Sequence, residues 1–312
     1  MNGPANSPAM SDGTLSWGAL WDETAARLGR VQARWMCEVA SGLDGDEFFA
    51  VLDEPATNRC VAYLDSMLTR LAAGEPLQYV LGRWGFRHLD LMIDQRVLIP
   101  RPETETVVEI ALGLARSMDL PIVCADLGTG SGAIGLSLAT ELPFDGVTVW
   151  MTDRSSDALD VARANAAGIG RAGANVRMAK GTWFDALPVE LRGRLAIVVS
   201  NPPYVAAGDR GLESIVRDWE PPIALFAGTD GLDEIRQLVA DAPLWLRPGG
   251  WLVIEIGASQ GLRTDDLLRD AGFEEVSISH DLSDRDRIAV ARWPATGEAK
   301  WLGETGSDLA EE

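Results

Sequence analysis

Apolar residues recur at steps of three and four between residues 14 and 74, as in TLSWGALWDETAARLGRVQARWMCEVASGL and FFAVLDEPATNRCVAYLDSMLTRLAAG. This period places apolar side chains on one helix face, so it predicts a small bundle of short helices. The stretch 76–100 alternates apolar and polar residues, which predicts a strand pair. Pro102, followed by Glu103 and Glu105, predicts a first helical turn, where proline loses no hydrogen bond and acidic groups meet the positive helix end.

Beyond residue 120, short apolar segments alternate with helical stretches. The candidate strands read PIVCADL, VTVWMTD, VRMAKG, LAIVVSN and WLVIEIG. Apolar strands joined by helical crossovers predict an α/β fold with a mostly parallel, doubly wound sheet covered on both faces. Residues 273–293 predict an antiparallel strand pair that closes the sheet. In such folds ligands bind at the carboxyl ends of the strands, beside the point where strand order reverses.

These patterns divide the chain into segments. We predict a disordered N-terminus at 1–12, a helical domain at 13–75, a β-hairpin linker at 76–100, a catalytic α/β domain at 101–292 and an acidic flexible tail at 293–312.

Composition narrows the function classes. The 312 residues include 47 acidic and 27 basic side chains, a net charge of −20 that repels nucleic-acid phosphates. The three cysteines are odd in number and lack metal-ligand spacing, so neither a disulfide framework nor a metal site is expected. No stretch approaches the roughly 18 apolar residues of a membrane span, and the N-terminus does not read as a signal peptide. We therefore expect a cytoplasmic protein.

The loop DLGTGSGAIG, residues 126–135, follows the first strand of the α/β domain. Gly130, Gly132 and Gly135 satisfy the G-x-G-x-x-G pattern, in which glycines permit positive φ and let a ligand approach backbone N–H groups. Asp153 ends the next strand, where a carboxylate can accept hydrogen bonds from ribose hydroxyls. Nicotinamide dinucleotides and S-adenosylmethionine both carry a ribose, so these residues leave both cofactors open.

The stretch VVSNPPY, residues 198–204, ends a strand with two prolines, which remove backbone donors and stiffen the loop. The Asn201 side-chain oxygen and the Pro202 carbonyl can accept the two N–H groups of an amide or amine. Tyr204 can stack on the same planar group and favour the positive charge that develops on its nitrogen. Methyl transfer from S-adenosylmethionine needs an acceptor lone pair aimed at the methyl group. The pattern therefore favours methylation of a planar nitrogen without a strong base.

DLGTGSGAIG, Asp153 and NPPY together form the pattern of Rossmann-type amino methyltransferases. LQYVLGRWGFRHLDLMIDQRVLIPRPETE, WEPPIALFAGTDGLDEIR and LRPGGWLVIEIG further make the chain resemble the bacterial release-factor glutamine methyltransferases of the HemK/PrmC type. The resemblance covers roughly residues 75–292, while the N-terminal part matches in size and helicity only. The family often has glycine in the turn that Ser283 and Asp284 occupy here.

The resemblance implies a class I methyltransferase domain with S-adenosylmethionine as cofactor. A single glutamine offers little surface, so we expect the helical domain to provide the contacts that recognise the substrate protein. The resemblance also implies roles for individual residues. The expected cofactor contacts are Gly128, Thr129, Gly130, Ser131 and Gly132 on the methionine part, Asp153 on the ribose, Trp183 beside the adenine with Phe184 and Asp185 next to it, and Asn201. The expected substrate clamp is Asn201, Pro202, Pro203 and Tyr204, with Asn201, Pro202 and Tyr204 catalytic. The segment Arg101 to Glu105 either covers the cofactor or only starts a helix.

The implied reaction is methylation of the glutamine nitrogen in the Gly-Gly-Gln motif of peptide chain release factors. Three alternatives stay open: a glutamine methyltransferase acting on a ribosomal protein, an N6-adenine methyltransferase that uses the same clamp on a flipped base, and an adaptor that only binds a nucleotide. The net charge of −20 and the presence of only two lysines argue against a nucleic-acid substrate. No membrane partner is expected.

Overall fold

A computed structural model describes residues 14–281 and 283–295. The chain divides into two compact units, Met1–Arg83 and Trp84–Glu312, and the division falls inside the segment predicted as a linker. The predicted disordered N-terminus and all but residues 293–295 of the predicted tail lie outside the described residues. Within the described part of the chain, no helix has the length and apolar character needed to cross a bilayer.

The first unit is helical, as the three- and four-residue period predicts. Its helices are α1 (Trp17–Leu28), α2 (Arg30–Ser41), α3 (Asp46–Ala50), α4 (Asn58–Ala72) and α5 (Leu77–Leu81). The hydroxyls of Ser16 and Thr57 cap α1 and α4 by accepting hydrogen bonds from the N–H groups of Ala19 and Cys60. Fully buried Phe48 of α3 contacts the rings of Trp17 and Trp21 of α1, so these two helices share an apolar core.

The strand pattern predicted over 76–100 is wrong at its start, where Leu77–Leu81 forms helix α5. Tyr79, Val80 and Leu81 are all buried, a continuous burial that a half-exposed strand would not give. The guanidinium of Arg70 donates to the carbonyls of Tyr79 and Val80 at 2.9 and 3.3 Å. These bonds satisfy carbonyls that the end of a short helix leaves unpaired. The predicted hairpin itself is confirmed in β1 (Arg83–Phe86) and β2 (Leu89–Met92).

The second unit holds a sheet of seven strands among the described residues, in the order β5-β4-β3-β6-β7-β9-β8. The strands are β3 (Ile122–Leu127), β4 (Val147–Asp153), β5 (Val176–Lys180), β6 (Leu195–Ser200), β7 (Leu246–Glu255), β8 (Glu274–His280) and β9 (Asp286–Arg292). β3 to β7 pair in parallel, and β9 is antiparallel to both β7 and β8. The predicted doubly wound sheet with a closing antiparallel pair is therefore confirmed, although β7 begins before the predicted start at Trp251.

Helices occupy the connections between these strands. They are α6 (Pro102–Arg116), α7 (Ala133–Glu141), α8 (Ser156–Gly168), α9 (Ser214–Trp219), α10 (Asp233–Trp245) and α11 (Gly261–Asp270). From β3 the chain moves outward through β4 to β5, then returns to place β6 on the other side of β3. Strand order thus reverses between β3 and β6, which opens a crevice at their carboxyl ends. The Ser200 hydroxyl donates to the Leu127 carbonyl at 2.7 Å and ties these two ends together.

The turn between β8 and β9 keeps a glycine-like backbone without a glycine. Asp284 has a φ of +58°, in the left-handed region. The Asp281 carboxylate accepts hydrogen bonds from the backbone N–H groups of Ser283 and Arg285 at 2.8 and 3.1 Å. Aspartate enters this region more readily than most residues, so the departure from the family's glycine leaves the turn intact.

Two glycines in helices should respond in opposite ways to an added methyl group. At Gly135, in α7, a Cβ would lie 2.5 Å from Cγ of buried Met151, whereas at exposed Gly113, in α6, it would meet nothing within 4 Å. Gly135→Ala should therefore lower the free energy of unfolding by about 1–3 kcal/mol. Gly113→Ala should raise it by about 0.5–1 kcal/mol, because alanine favours the helix. Urea unfolding of the full chain measures both, and equal shifts would contradict the packing at Gly135.

Candidate active site

The glycine loop after β3 has the backbone that its sequence predicts. Gly128, Gly130 and Gly132 have φ values of +76°, +55° and +91°. A Cβ at Gly128 would lie 2.9 Å from Cζ3 of Trp183, so only glycine lets the indole pack against the loop. A Cβ at Gly130 would meet nothing within 4 Å. The loop thus has open space above Gly130, where a ligand can approach the backbone.

Asp126 anchors this loop from below, a role that the sequence reasoning missed. Its carboxylate is fully buried and accepts hydrogen bonds from the Thr129 hydroxyl at 2.5 Å and from the Gly135 N–H at 2.8 Å. The other carboxylate oxygen is buried without a partner. Burial raises the pKa of Asp126 to about 7, against hydrogen bonds that lower it. The acidic residue that opens DLGTGSG was the available signal.

Asp153 lies at the end of β4 and holds the loop from the side. One carboxylate oxygen accepts from the Gly130 N–H at 2.9 Å and the other from the Ser155 N–H at 2.8 Å. Burial raises the pKa of Asp153, while these backbone hydrogen bonds lower it. A carboxylate offers about four acceptor positions, so Asp153 can still accept hydrogen bonds from two ribose hydroxyls.

Trp183 forms a wall beside the loop with a backbone φ of +46°, which is rare for a large side chain. Its indole N–H donates to the Glu234 carboxylate at 2.7 Å, which fixes the ring. Phe184 instead stacks on Trp245 in the core, with ring centroids 5.8 Å apart, and Asp185 is exposed. Of these three neighbours, Trp183 is the one that lines the cleft.

Two cavities of the second unit meet at the carboxyl ends of β3 and β6. The first has an empty volume of about 900 Å³ including its open mouth, and its walls include Gly128–Ser131, Asp153 and Trp183. The second, of about 740 Å³, is lined by Arg101, Pro202, Tyr204, Glu213 and Leu225, among others. Asn201 lines both cavities, and Pro203 lines the first.

The Asn201 side chain is linked through Thr104 to Glu255 by two hydrogen bonds. Its Nδ2 donates to Oγ1 of Thr104 at 3.2 Å, and Thr104 Oγ1 donates to Oε2 of Glu255 at 2.6 Å. The Tyr204 hydroxyl donates to the other Glu255 oxygen at 3.2 Å. Burial, followed by the negative charge of Glu255, raises the pKa of Tyr204. The sequence reasoning named Asn201 and Tyr204 but gave no role to Glu255 and none of its own to Thr104.

Comparison with known proteins places this site in a family. The chain is 42% identical over 277 residues to the release factor glutamine methyltransferase of Xylella fastidiosa (strain 9a5c), covering 88% of this chain and 98% of that protein. It is 40% identical over 273 residues to the protein of that name from Burkholderia pseudomallei (strain K96243), covering 86% and 94%. The chain belongs to the release factor glutamine methyltransferase family.

Two family models match parts of the chain. The model described as the methyltransferase small domain matches residues 114–218, which contain the glycine loop, Asp153 and NPPY. The model described as the PrmC N-terminal domain matches residues 24–82. This second match corrects the expectation that the N-terminal helices resemble release factor glutamine methyltransferases only in size and helicity, since the likeness extends to their sequence.

One solved structure has a fold similar to that of this chain. The hMettl16 catalytic domain, solved in complex with MAT2A 3'UTR hairpin 1, matches with a TM-score of 0.52 and 19% identity, covering 71% of this chain and 79% of that one. At that identity the likeness concerns the fold alone. The predicted Rossmann-type class I methyltransferase fold is confirmed, and the enzyme class follows from the family.

The segment Arg101 to Glu105 does more than start a helix. Pro102 is the first residue of α6, as predicted, and Thr104 contacts Asn201. Arg101 lines the second cavity and forms an ion pair with the buried carboxylate of Glu220 at 2.5 Å. Glu220 also accepts a hydrogen bond from the Ile99 N–H at 3.2 Å. These contacts attach the segment before α6 to the WEPP motif at the edge of the second cavity.

The buried carboxyl of Asp126 should make stability depend on pH. With a folded pKa of about 7 and an ordinary value of 3.8, it binds more protons in the folded state between these values. Wild-type stability therefore loses this contribution as pH rises from about 4 to about 7. Asp126→Asn abolishes the titration but keeps one oxygen to accept from Thr129 and Gly135. The stability of the variant relative to wild type should rise across this window in chemical unfolding, and parallel profiles would contradict the raised pKa.

Proposed function

We propose that this enzyme transfers a methyl group from S-adenosylmethionine to the side-chain amide nitrogen of the glutamine in the Gly-Gly-Gln motif of peptide chain release factors. The observation that carries the proposal is the place of Asn201 in the wall shared by two cavities. One cavity has the glycine loop and a ribose-binding carboxylate, and the other has the remaining clamp residues. Family membership, through relatives named release factor glutamine methyltransferases, supports the substrate.

The residues around the first cavity fit S-adenosylmethionine. When bound, it supplies an electrophilic methyl group on a positively charged sulfur. Gly128 to Gly132 would hold its methionine part, the free acceptor positions of Asp153 its ribose hydroxyls, and Trp183 would lie beside its adenine. Gly130 contributes the open backbone that close approach requires, because a Cβ there would meet no atom within 4 Å.

The clamp fits a primary amide as the substrate group. The Asn201 Oδ1 atom and the Pro202 carbonyl accept its two N–H groups, which orients the nitrogen towards the first cavity. Tyr204 is held in place by Gln260, whose Nε2 donates to the Tyr204 carbonyl at 3.0 Å. As the nitrogen gains positive charge, its protons become more acidic and its hydrogen bonds to Asn201 and Pro202 strengthen. The proton leaves after methylation, so no strong base is needed.

The molecule that accepts the methyl group distinguishes the proposed function from its alternatives. Purified enzyme should transfer label from radioactive S-adenosylmethionine to a release factor, and far less to a ribosomal protein or to adenine-containing DNA. The net charge of −20 favours this outcome over DNA. Label on the ribosomal protein or the DNA alone would assign the clamp to that substrate, and no transfer at all would favour the adaptor. Recognition of the release factor by the N-terminal helices, and cytoplasmic location, stay predictions.

Removal of the clamp side chain should stop turnover while leaving the fold in place. Asn201→Ala deletes an acceptor whose hydrogen bond is strongest in the transition state, so kcat should fall at least about 100-fold. Asp266→Ala, an exposed change in α11 at a residue that lines neither cavity, is the control and should retain wild-type kcat. Steady-state methylation of a release factor measures both. Near-normal turnover by Asn201→Ala would show that the clamp lies elsewhere.

The ribose contact should appear in cofactor affinity. Asp153→Ala removes a charged acceptor, so S-adenosylmethionine binding should weaken by about 1.5–3 kcal/mol in calorimetric titration. Asp157→Ala, a change at an exposed residue of α8, should bind like wild type. Tight binding of a nicotinamide dinucleotide by the wild-type enzyme, with none of S-adenosylmethionine, would overturn the cofactor assignment.

A further inference from the structure

We propose that Thr104 and Glu255 are positioning residues that fix which end of the Asn201 amide faces the substrate. The inference deepens the proposed function and rests on it for the identity of the substrate group. An asparagine side chain has an acceptor oxygen and a donor NH₂ group of nearly the same shape. The Asn201 side chain can accept a hydrogen bond from a substrate amide only when its oxygen faces the substrate. In the reverse orientation its NH₂ group would face the NH₂ group of the substrate, and two donors form no hydrogen bond.

The direction of the hydrogen-bond chain starts at Glu255. The hydroxyl of Thr104, 2.6 Å from Oε2 of Glu255, donates its single proton to that oxygen. The lone pairs of Thr104 are then left to accept, and Asn201 must turn its NH₂ group towards them, at 3.2 Å. The Asn201 oxygen consequently points away from Thr104.

Each oxygen of the Glu255 carboxyl group accepts one hydrogen bond. Glu255 is 1% exposed, and its second oxygen accepts from the Tyr204 hydroxyl at 3.2 Å. Burial raises the pKa of Glu255, while the Thr104 hydrogen bond and the positive charge of Arg287 lower it. A buried carboxyl group of this kind is costly unless it has hydrogen-bond partners, and here the hydroxyls of Thr104 and Tyr204 supply them. Glu255 therefore contacts Tyr204 directly and Asn201 through Thr104, the last and first residues of NPPY.

The chain offers a matched pair of substitutions at Thr104. Thr104→Val keeps the shape but removes the hydroxyl, so nothing at this position accepts the Asn201 NH₂ group and the amide can turn over. Thr104→Ser keeps the hydroxyl and removes only a methyl group. At saturating S-adenosylmethionine, kcat on a release factor should fall at least about 10-fold in Thr104→Val and stay within about threefold of wild type in Thr104→Ser. KM should change less than kcat, because the lost alignment matters most in the transition state.

Glu255→Gln tests whether Glu255 sets the direction of the hydrogen bonds from Asn201 through Thr104. Glutamine keeps the size of the side chain but can present either an oxygen or an NH₂ group to Thr104. Both directions of the chain then become available, and kcat should fall by a factor between those of Thr104→Ser and Thr104→Val. Glu255 lines neither cavity, so cofactor affinity, measured separately, should stay within about threefold of wild type in Glu255→Gln. Thr104 does line the first cavity, so its two variants are compared with each other and should bind the cofactor within about threefold of one another.

A measurement without substrate separates this inference from the proposed function. In protein labelled with ¹⁵N-asparagine, the side-chain NH₂ signal of Asn201 is assigned by its loss in Asn201→Ala. Its hydrogen exchange should be slow in wild type and Thr104→Ser and faster in Thr104→Val. Equal exchange in Thr104→Ser and Thr104→Val, or equal loss of kcat in both, would overturn the positioning role. A wild-type enzyme that methylates no release factor, but shows the expected exchange pattern, would overturn the substrate alone.

Discussion

The hydrogen bond from the Ser200 hydroxyl to the Leu127 carbonyl, 2.7 Å long, joins the carboxyl ends of the two strands between which the order of the sheet reverses. This junction fixes where the glycine loop begins relative to NPPY. The glycine loop continues directly from Leu127, and Asn201 follows directly after Ser200. Since both strands are buried, neither end can shift without disturbing the core. A rigid junction therefore holds the two halves of the site against each other.

The residues that the sequence predicted share one property, which is that their chemistry is visible locally. Positive φ at Gly128, Gly130 and Gly132 follows from a glycine-rich turn, and Asp153 and Asn201 stand at the ends of apolar strands. Helix α5 was missed because its apolar side chains come from a five-residue segment, too short to show a helical period.

The roles of Thr104 and Glu255 could not be predicted from the sequence for a different reason. Thr104 is separated by 97 residues from Asn201 and by 151 from Glu255, so only the folded sheet brings them together. Glu255 lies in WLVIEIG, where an acidic residue in an apolar strand breaks the pattern expected for the core. That break was the signal, because a buried charge costs free energy unless it has partners. Asp126 shows the same violation at the end of β3, and it too supports the site.

The wall that Asn201 forms between the two cavities has a consequence for inhibition. A single molecule that carries an adenosine part and a primary amide on a short tether could occupy both cavities at once. Once one part is bound, the other binds at the effective concentration that the tether sets, so the affinities of two weak fragments combine. Leu98, Asn201 and Ala224 line both cavities, so the tether must pass the boundary that these three residues form, and its length decides whether both parts can bind at once.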